Sequence, residues 1–69
     1  MTNTKMLNEA ILETGFKKEW IAKRMGITRA SLSEKINNKR EFKASEVVKL
    51  SKILSLPNEK REIIFLSLE

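Results

Sequence analysis

Residues 18–37 read KEWIAKRMGITRASLSEKIN, and this stretch decides the fold of the chain. Apolar residues lie on both sides of Gly26, with Ile21 before it and Leu32 after it. Two helices that meet at a steep angle over a three- or four-residue turn need a small residue at their crossing and a glycine at the bend. Ala22 and Gly26 supply these two residues. The stretch therefore predicts two helices held at a fixed angle.

The ends of both helices can be read from the same stretch. We expect the first helix of the pair to span 18–25 and to end at Gly26. The hydroxyl of Thr28 can cap the second, which we expect to reach about Asn37. Leu32 and Ile36 lie four residues apart and predict its inner face.

The flanking segments also carry apolar residues at three- and four-residue spacing, which predicts an all-helical chain. We expect a first helix over 4–14, with Gly15 as a left-handed C-terminal cap. A further helix should follow Phe42. Its expected buried side comprises Val47, Val48, Leu50, Ser51 and Leu54.

The last segment is ambiguous. Pro57 ends the preceding helical pattern. The residues after it open like a capped helix, but 63–68 also fit a strand. We favour a short helix, which an extended tail can follow.

Composition excludes several function classes. A chain of 69 residues forms one domain at most, here 1–69, and its hydrophobic fraction of 41% with only three Gly or Pro is that of a folded protein. Without Cys or His it lacks a thiolate nucleophile and the commonest metal ligand and general base. No glycine-rich phosphate loop is present. We therefore expect no enzyme, no metal, no cofactor and no small-molecule ligand.

The hydropathy pattern favours a cytoplasmic protein. The longest apolar run covers only 63–66, whereas a membrane-spanning helix needs roughly 20 residues. The N-terminal residues do not lead into a secretory signal.

Positive charge is concentrated in the middle of the chain. Nine Lys or Arg and three Glu lie between Lys17 and Lys43, a net charge of +6, whereas the two flanks together carry −1. A segregated basic segment suits a polyanion, because each neutralised phosphate releases condensed counterions. The alternative is a merely solvated basic surface.

The central stretch resembles the helix-turn-helix domain of the Cro and lambda-repressor superfamily. The resemblance covers 16–54 and is carried by GITRASLSEKINNK at 26–39, which is similar to the core of small prophage regulators. It departs at Lys17 and Lys43, where the family often has Ser or Thr caps, and at Asn38, where Gly is common. Ile36 also stands four residues after Leu32, where many relatives place an apolar residue three residues on.

The resemblance implies a compact five-helix domain with the helix-turn-helix at helices two and three, and sequence-specific binding to double-stranded DNA. It places the second helix of the pair in the major groove. Four of the expected base-reading residues lie opposite its inner face, namely Ala30, Ser33, Glu34 and Asn37, and the fifth, Arg29, protrudes at the start of the helix. Arg29 could read guanine O6 and N7 or contact a phosphate, and Glu34 could accept from cytosine or repel wrong sequences.

A second set of residues is expected to contact phosphates around the groove. Lys17 and Lys18 stand at a helix start, where free N–H groups favour anions. The full set is Lys17, Lys18, Thr28, Ser31, Lys35, Asn38, Lys39, Arg40 and Lys43. Lys23 and Arg24 are expected to be solvated or paired with Glu. Trp20 could shield the edge of the core or offer its N–H to a phosphate.

Family members usually bind as dimers to two half-sites, so a homodimer on a pseudo-palindromic operator is expected. The segment 58–69 is richer in apolar residues than one buried stripe requires. The expected dimer contact comprises Ile63, Ile64, Phe65, Leu66 and Leu68, although Ile63, Phe65 or Leu66 could instead close the core of the monomer.

The first hypothesis is a Cro-like or repressor-like transcriptional regulator of a phage or prophage, associated with the nucleoid of a bacterial cell. The second is a DNA-binding antitoxin that holds a toxin with its C-terminal apolar surface. The third is a protein-interaction module that kept this fold without binding DNA.

Overall fold

The computed structural model describes residues 1–65, and these residues form five α-helices with no strand among them. The helices are α1 (Thr4–Thr14), α2 (Lys18–Met25), α3 (Arg29–Ile36), α4 (Ala44–Ile53) and α5 (Asn58–Phe65). The all-helical prediction is confirmed, and so are the predicted bounds of α1 and α2. The ambiguous segment after Pro57 is helical as far as Phe65.

Local side-chain and backbone chemistry explains where α1 begins and ends. The Asn3 side chain accepts a hydrogen bond from the backbone N–H of Met6 at 3.1 Å, which satisfies one free donor of the first turn. Gly15 ends the helix with φ of 76°, a left-handed conformation that other residues rarely adopt. The predicted glycine cap is confirmed.

One apolar core joins all five helices. α1 packs against α3 and α5, and α2 packs against α3 and α4. The core residues are Leu7, Ile11, Ile21, Ala22, Met25, Leu32, Ile36, Leu50, Leu54, Ile64 and Phe65. The two ends of the described chain meet, because the N–H of Asn3 donates to the carbonyl of Ile64 at 2.7 Å.

The predicted buried side of α4 is right at Leu50, Ser51 and Leu54 but wrong at Val48, which is 44% exposed. At about 100° per residue, Leu50 and Leu54 define a stripe that Val48 misses by more than a third of a turn. Val47 lies nearer to that stripe and is partly buried against the core.

Candidate nucleic-acid interface

A three-residue turn joins α2 to α3. Gly26 adopts φ of 78°, and its N–H donates to the carbonyl of Lys23 at 3.1 Å, which closes the end of α2. A Cβ atom added at Gly26 would meet nothing within 4 Å, so the turn needs glycine for its backbone conformation and not for space. Thr28 then caps α3, because its hydroxyl oxygen accepts from the N–H of Ser31 at 3.0 Å.

The expected base-reading residues lie on the outer side of α3 and at its start. Leu32 and Ile36 are fully buried on the inner face of α3. On the outer side, Ser33 is half-buried and three candidates are exposed, namely Ala30, Glu34 and Asn37. Arg29 is exposed at the first position of the helix. The fold therefore brings these side chains to one solvent-facing surface.

Two of the five candidates already have partners on the protein. The side-chain amide of Asn37 donates to the Ser33 carbonyl at 2.9 Å, and Glu34 lies 3.5 Å from the guanidinium of Arg40. Arg29 has no hydrogen-bond or ion-pair partner among the described residues. Its guanidinium is therefore the charged group among these five candidates that is free to bind another molecule.

Lys35 is not on this surface, so its expected phosphate contact is wrong. The side chain is buried between α3 and α4, where its ammonium lies 2.6 Å from the carboxylate of Glu46. Lys35 precedes Ile36 and follows Leu32 by three residues, a spacing that places it on the inner side of α3. A buried charge needs a partner, and Glu46 supplies it from α4.

Glu46 has a second role at the start of α4. Its other carboxylate oxygen accepts from the backbone N–H of Lys43 at 2.9 Å. The lysine side chain has no acceptor atom, so only this glutamate half of a capping box exists. Burial would raise the pKa of the Glu46 carboxyl, but the hydrogen bonds from Lys35 and Lys43 and their positive charges outweigh it and lower that pKa.

The side chain of Asn38 already has partners within the protein, and its expected phosphate contact stays a prediction. Its side-chain oxygen accepts from the Thr2 N–H at 2.8 Å, and its amide donates to the Thr2 carbonyl at 2.9 Å and to the Thr4 hydroxyl at 3.3 Å. The Thr4 hydroxyl in turn donates to the Ile36 carbonyl at 2.6 Å. These bonds fasten the N-terminal residues to the end of α3.

The backbone of Asn38 closes α3. Its φ of 64° is left-handed, a conformation that Asn tolerates better than most residues other than glycine. The N–H of Lys39 donates to the Glu34 carbonyl at 2.8 Å, and the N–H of Asn38 donates to the Lys35 carbonyl at 3.3 Å. Both bonds belong to a Schellman motif.

The remaining phosphate candidates lie near the ends of α2, α3 and α4. Lys17 and Lys18 mark the start of α2, and no side chain caps that helix. Lys18 and Ser31 are half-buried, whereas the others are exposed, namely Lys17, Thr28, Lys39, Arg40 and Lys43.

Trp20 packs on another aromatic side chain at the surface. Its ring centroid lies 4.6 Å from that of Phe16, and the guanidinium of Arg24 lies 5.1 Å from the Trp20 centroid. Trp20 is 42% exposed. The three residues are spaced four apart in the sequence, and this spacing is the signal that predicts their contact.

The expected dimer contact divides into three groups. Ile64 and Phe65 are buried in the core of the monomer, so they are not surface contacts. The ring of Phe65 packs edge-on against Phe42 at 5.4 Å. Ile63 is exposed. Leu66 and Leu68 lie outside the described residues.

Comparisons of the chain with protein-family models, curated proteins and solved structures find no match. No helix within residues 1–65 has the length and apolar character needed to cross a membrane.

Proposed function

We propose that the chain binds double-stranded DNA in a sequence-specific manner, with α2 and α3 as a helix-turn-helix and α3 in the major groove. It would act as a small transcriptional regulator of the Cro or lambda-repressor type. The observation that carries this proposal is the arrangement of α3, whose inner face is fixed in the core by Leu32 and Ile36 while the unpaired Arg29 is exposed at its first position.

The charge distribution supports a polyanionic ligand. Because Glu46 neutralises Lys35, the basic groups available on the surface between Lys17 and Lys43 are the other eight, and three glutamates accompany them. A protein that contacts several phosphates binds DNA with an affinity that falls steeply as salt rises.

The anchoring of α3 supports precise reading of bases. The Lys35–Glu46 pair holds α3 to α4, and the Asn38 side chain holds the N-terminal residues to the end of α3. A recognition helix that is fixed before binding loses less conformational freedom on the DNA.

Arg29 is the principal reader in this proposal. Its guanidinium can donate two hydrogen bonds to guanine O6 and N7, a pairing worth about 1–3 kcal/mol of discrimination. Glu34 and Asn37 would contact bases while they keep their present partners on the protein, which are Arg40 and Ser33 respectively.

The test begins with selection of bound duplexes from a random library and from genomic fragments, followed by titration of the selected duplex at several salt concentrations. We expect Arg29→Ala to relax the preference at one base pair. Lys39→Ala should weaken binding to all duplexes alike and reduce the salt slope by about 1. Lys60→Ala removes an exposed lysine of α5 and serves as the matched control.

Two results would contradict the proposal. A chain that selects no duplex and has no salt-dependent affinity for DNA is not a DNA-binding protein. If Arg29→Ala lowers affinity by the same factor on every duplex, Arg29 is a phosphate contact and not a reader.

A homodimer remains part of the proposal, and Ile63 is the described residue available for its contact. Sedimentation of the chain with a full operator and with a half-site measures the stoichiometry. We expect two chains per full operator, and Ile63→Ser should reduce pairing without unfolding the domain because that side chain is half exposed.

A further inference from the structure

The described part of the chain has an exposed aromatic strip whose apolar residues the proposed DNA contact does not use, although Lys17 and Lys18 beside it are also candidate phosphate contacts. Leu12 is 80% exposed, Phe16 40% and Trp20 42%. The other two phenylalanines of the chain, Phe42 and Phe65, pack against each other at the core instead. Trp20 points away from the core, because Ile21, Ala22 and Met25 occupy the inner side of α2. We define the aromatic strip as Leu12, Phe16, Trp20 and Arg24.

A shallow depression lies on each side of the Phe16–Trp20 contact. The first has a volume of about 370 Å³, and its apolar wall is formed by Ile11, Leu12 and Phe16. The second, of about 340 Å³, lies beside Trp20. Each volume suits one large apolar side chain, so the strip can receive two anchors from an incoming segment.

The charged residues around the aromatic strip indicate which kind of partner it would bind. Lys18 lines the first depression, and Lys17 and Lys23 line the second, where Glu19 is the single acidic residue. With Arg24 over the Trp20 ring, the strip has four positive charges against one negative. Carboxylates on a partner would be attracted to such a rim, and complementary charge is what gives protein contacts their specificity.

We propose that the aromatic strip is a docking surface for an acidic amphipathic helix of a partner protein. Apolar residues of that helix, at spacings of three and four, would fill the two depressions, and its Asp and Glu residues would meet the lysines and Arg24. A second copy of the chain is a poor occupant, because an isologous contact would bring two positive rims together. Duplex DNA is a poor occupant as well, because its surface is dominated by phosphates and offers few apolar groups to Leu12 or Phe16.

The experiment uses the full chain and a display library of 16-residue peptides. Each peptide has glutamates at fixed polar positions and random apolar residues at helical spacing. Trp20 is the only tryptophan of the chain, so its fluorescence reports occupancy of the strip directly. We expect selected peptides to shift the Trp20 emission to shorter wavelength and to bind at least tenfold more tightly than their Gln counterparts.

Matched variants locate the binding site. Leu12→Ser and Lys23→Glu should each weaken the selected peptide at least fivefold. Val48→Ser changes an apolar side chain with 44% exposure on α4, and Lys39→Glu makes the same charge change beyond α3, so both should leave peptide affinity within twofold. Circular dichroism of each variant verifies that the helices are retained.

Several outcomes would overturn the proposal. The first is a library that yields no peptide whose binding depends on Leu12. The second is equal affinity for the Glu and Gln peptides. The third is an equal loss of peptide affinity in Lys23→Glu and Lys39→Glu. If duplex DNA shifts the Trp20 emission and Leu12→Ser abolishes that shift, the strip binds nucleic acid. If the emission shift grows with protein concentration alone, the strip binds a second copy of the chain. Because Leu12→Ser should not change duplex affinity, failure of docking and failure of the proposed DNA binding are distinguishable.

Discussion

The ammonium of Lys35 lies 2.6 Å from the carboxylate of Glu46, and the two side chains are only 4% and 10% exposed. This pair joins α3 to α4, and the same glutamate also accepts from the N–H of Lys43 at the start of α4. One carboxylate therefore both caps a helix and fixes the position of the helix that carries Arg29.

Replacing Glu46 with Gln should destabilise the domain at neutral pH. The amide can still accept from Lys43, but it leaves the buried Lys35 without a counter-charge. Removal of one partner from a buried pair costs about 3–5 kcal/mol. Urea unfolding followed by circular dichroism measures the change, and Glu41→Gln, at an exposed glutamate, is the control.

Low pH should remove the stabilisation that the charged Glu46 carboxylate contributes to the fold. The pKa of Glu46 is lowered in the folded protein, so the unfolded chain takes up the proton first as pH falls. The stabilisation is fully present above the unfolded pKa, near 4.5, and is lost as pH falls through the lower folded pKa. The difference in unfolding free energy between the native chain and Glu46→Gln should therefore become smaller below about pH 4.5. A difference that stays constant between pH 7 and pH 3 would show that the charge of Glu46 contributes nothing.

The companion variants test whether the pair matters for stability or for geometry. Lys35→Met leaves Glu46 buried without its ammonium partner and should lose stability. The double variant Lys35→Met/Glu46→Leu removes both charges and should recover much of that loss, because apolar residues of similar volume replace buried ion pairs well. A double variant as unstable as the sum of the single variants would mean that the two residues act independently.

Much of the fold follows from the sequence because its signals are local. Gly15 and Gly26 adopt the left-handed conformation that their positions at helix ends require, and Thr28 accepts the N–H that its hydroxyl was expected to accept. Leu32 and Ile36 are buried as their spacing predicts. Such signals depend only on a few neighbouring residues, so they can be recognised without knowledge of the tertiary structure.

The errors and omissions arise where a distant residue decides the outcome. Lys35 was assigned to the surface by its charge, but Glu46, eleven residues away, makes its burial tolerable. Asn38 finds partners at Thr2 and Thr4, more than thirty residues earlier. The three-residue step from Leu32 indicates the inner side of α3 for Lys35, but no periodicity within α3 identifies the partner of Lys35 or of Asn38. The outer face of α3 was predicted more fully, because burial of one side of a helix exposes the other.

Asn38 should be needed for both its backbone and its side chain. Asn38→Gly keeps the left-handed conformation but removes the bonds to Thr2 and Thr4, a loss of about 1 kcal/mol. Asn38→Ala also has to hold a left-handed backbone, which costs roughly 1–2 kcal/mol more. Thermal and urea unfolding should rank the alanine variant as less stable than the glycine variant. Asn37→Ala, at a residue with φ of −92°, is the control, and equal stability of the two Asn38 variants would refute the backbone part of this argument.

Arg40 should behave in the opposite way to Lys35, because its ion pair with Glu34 is exposed. The side chains are 57% and 48% exposed and the two groups are 3.5 Å apart, so Arg40→Ala should change the free energy of unfolding by less than about 0.5 kcal/mol. The backbone N–H of Arg40, which donates to the Glu34 carbonyl, is retained in that variant. If Arg40 contacts a phosphate as we propose, the same variant should reduce the salt slope of duplex binding by about 1. Unfolding and duplex titrations of Arg40→Ala and Lys60→Ala side by side separate the two effects. A stability loss above 1 kcal/mol would make the Glu34 pair structural, and an unchanged slope would remove Arg40 from the DNA contact.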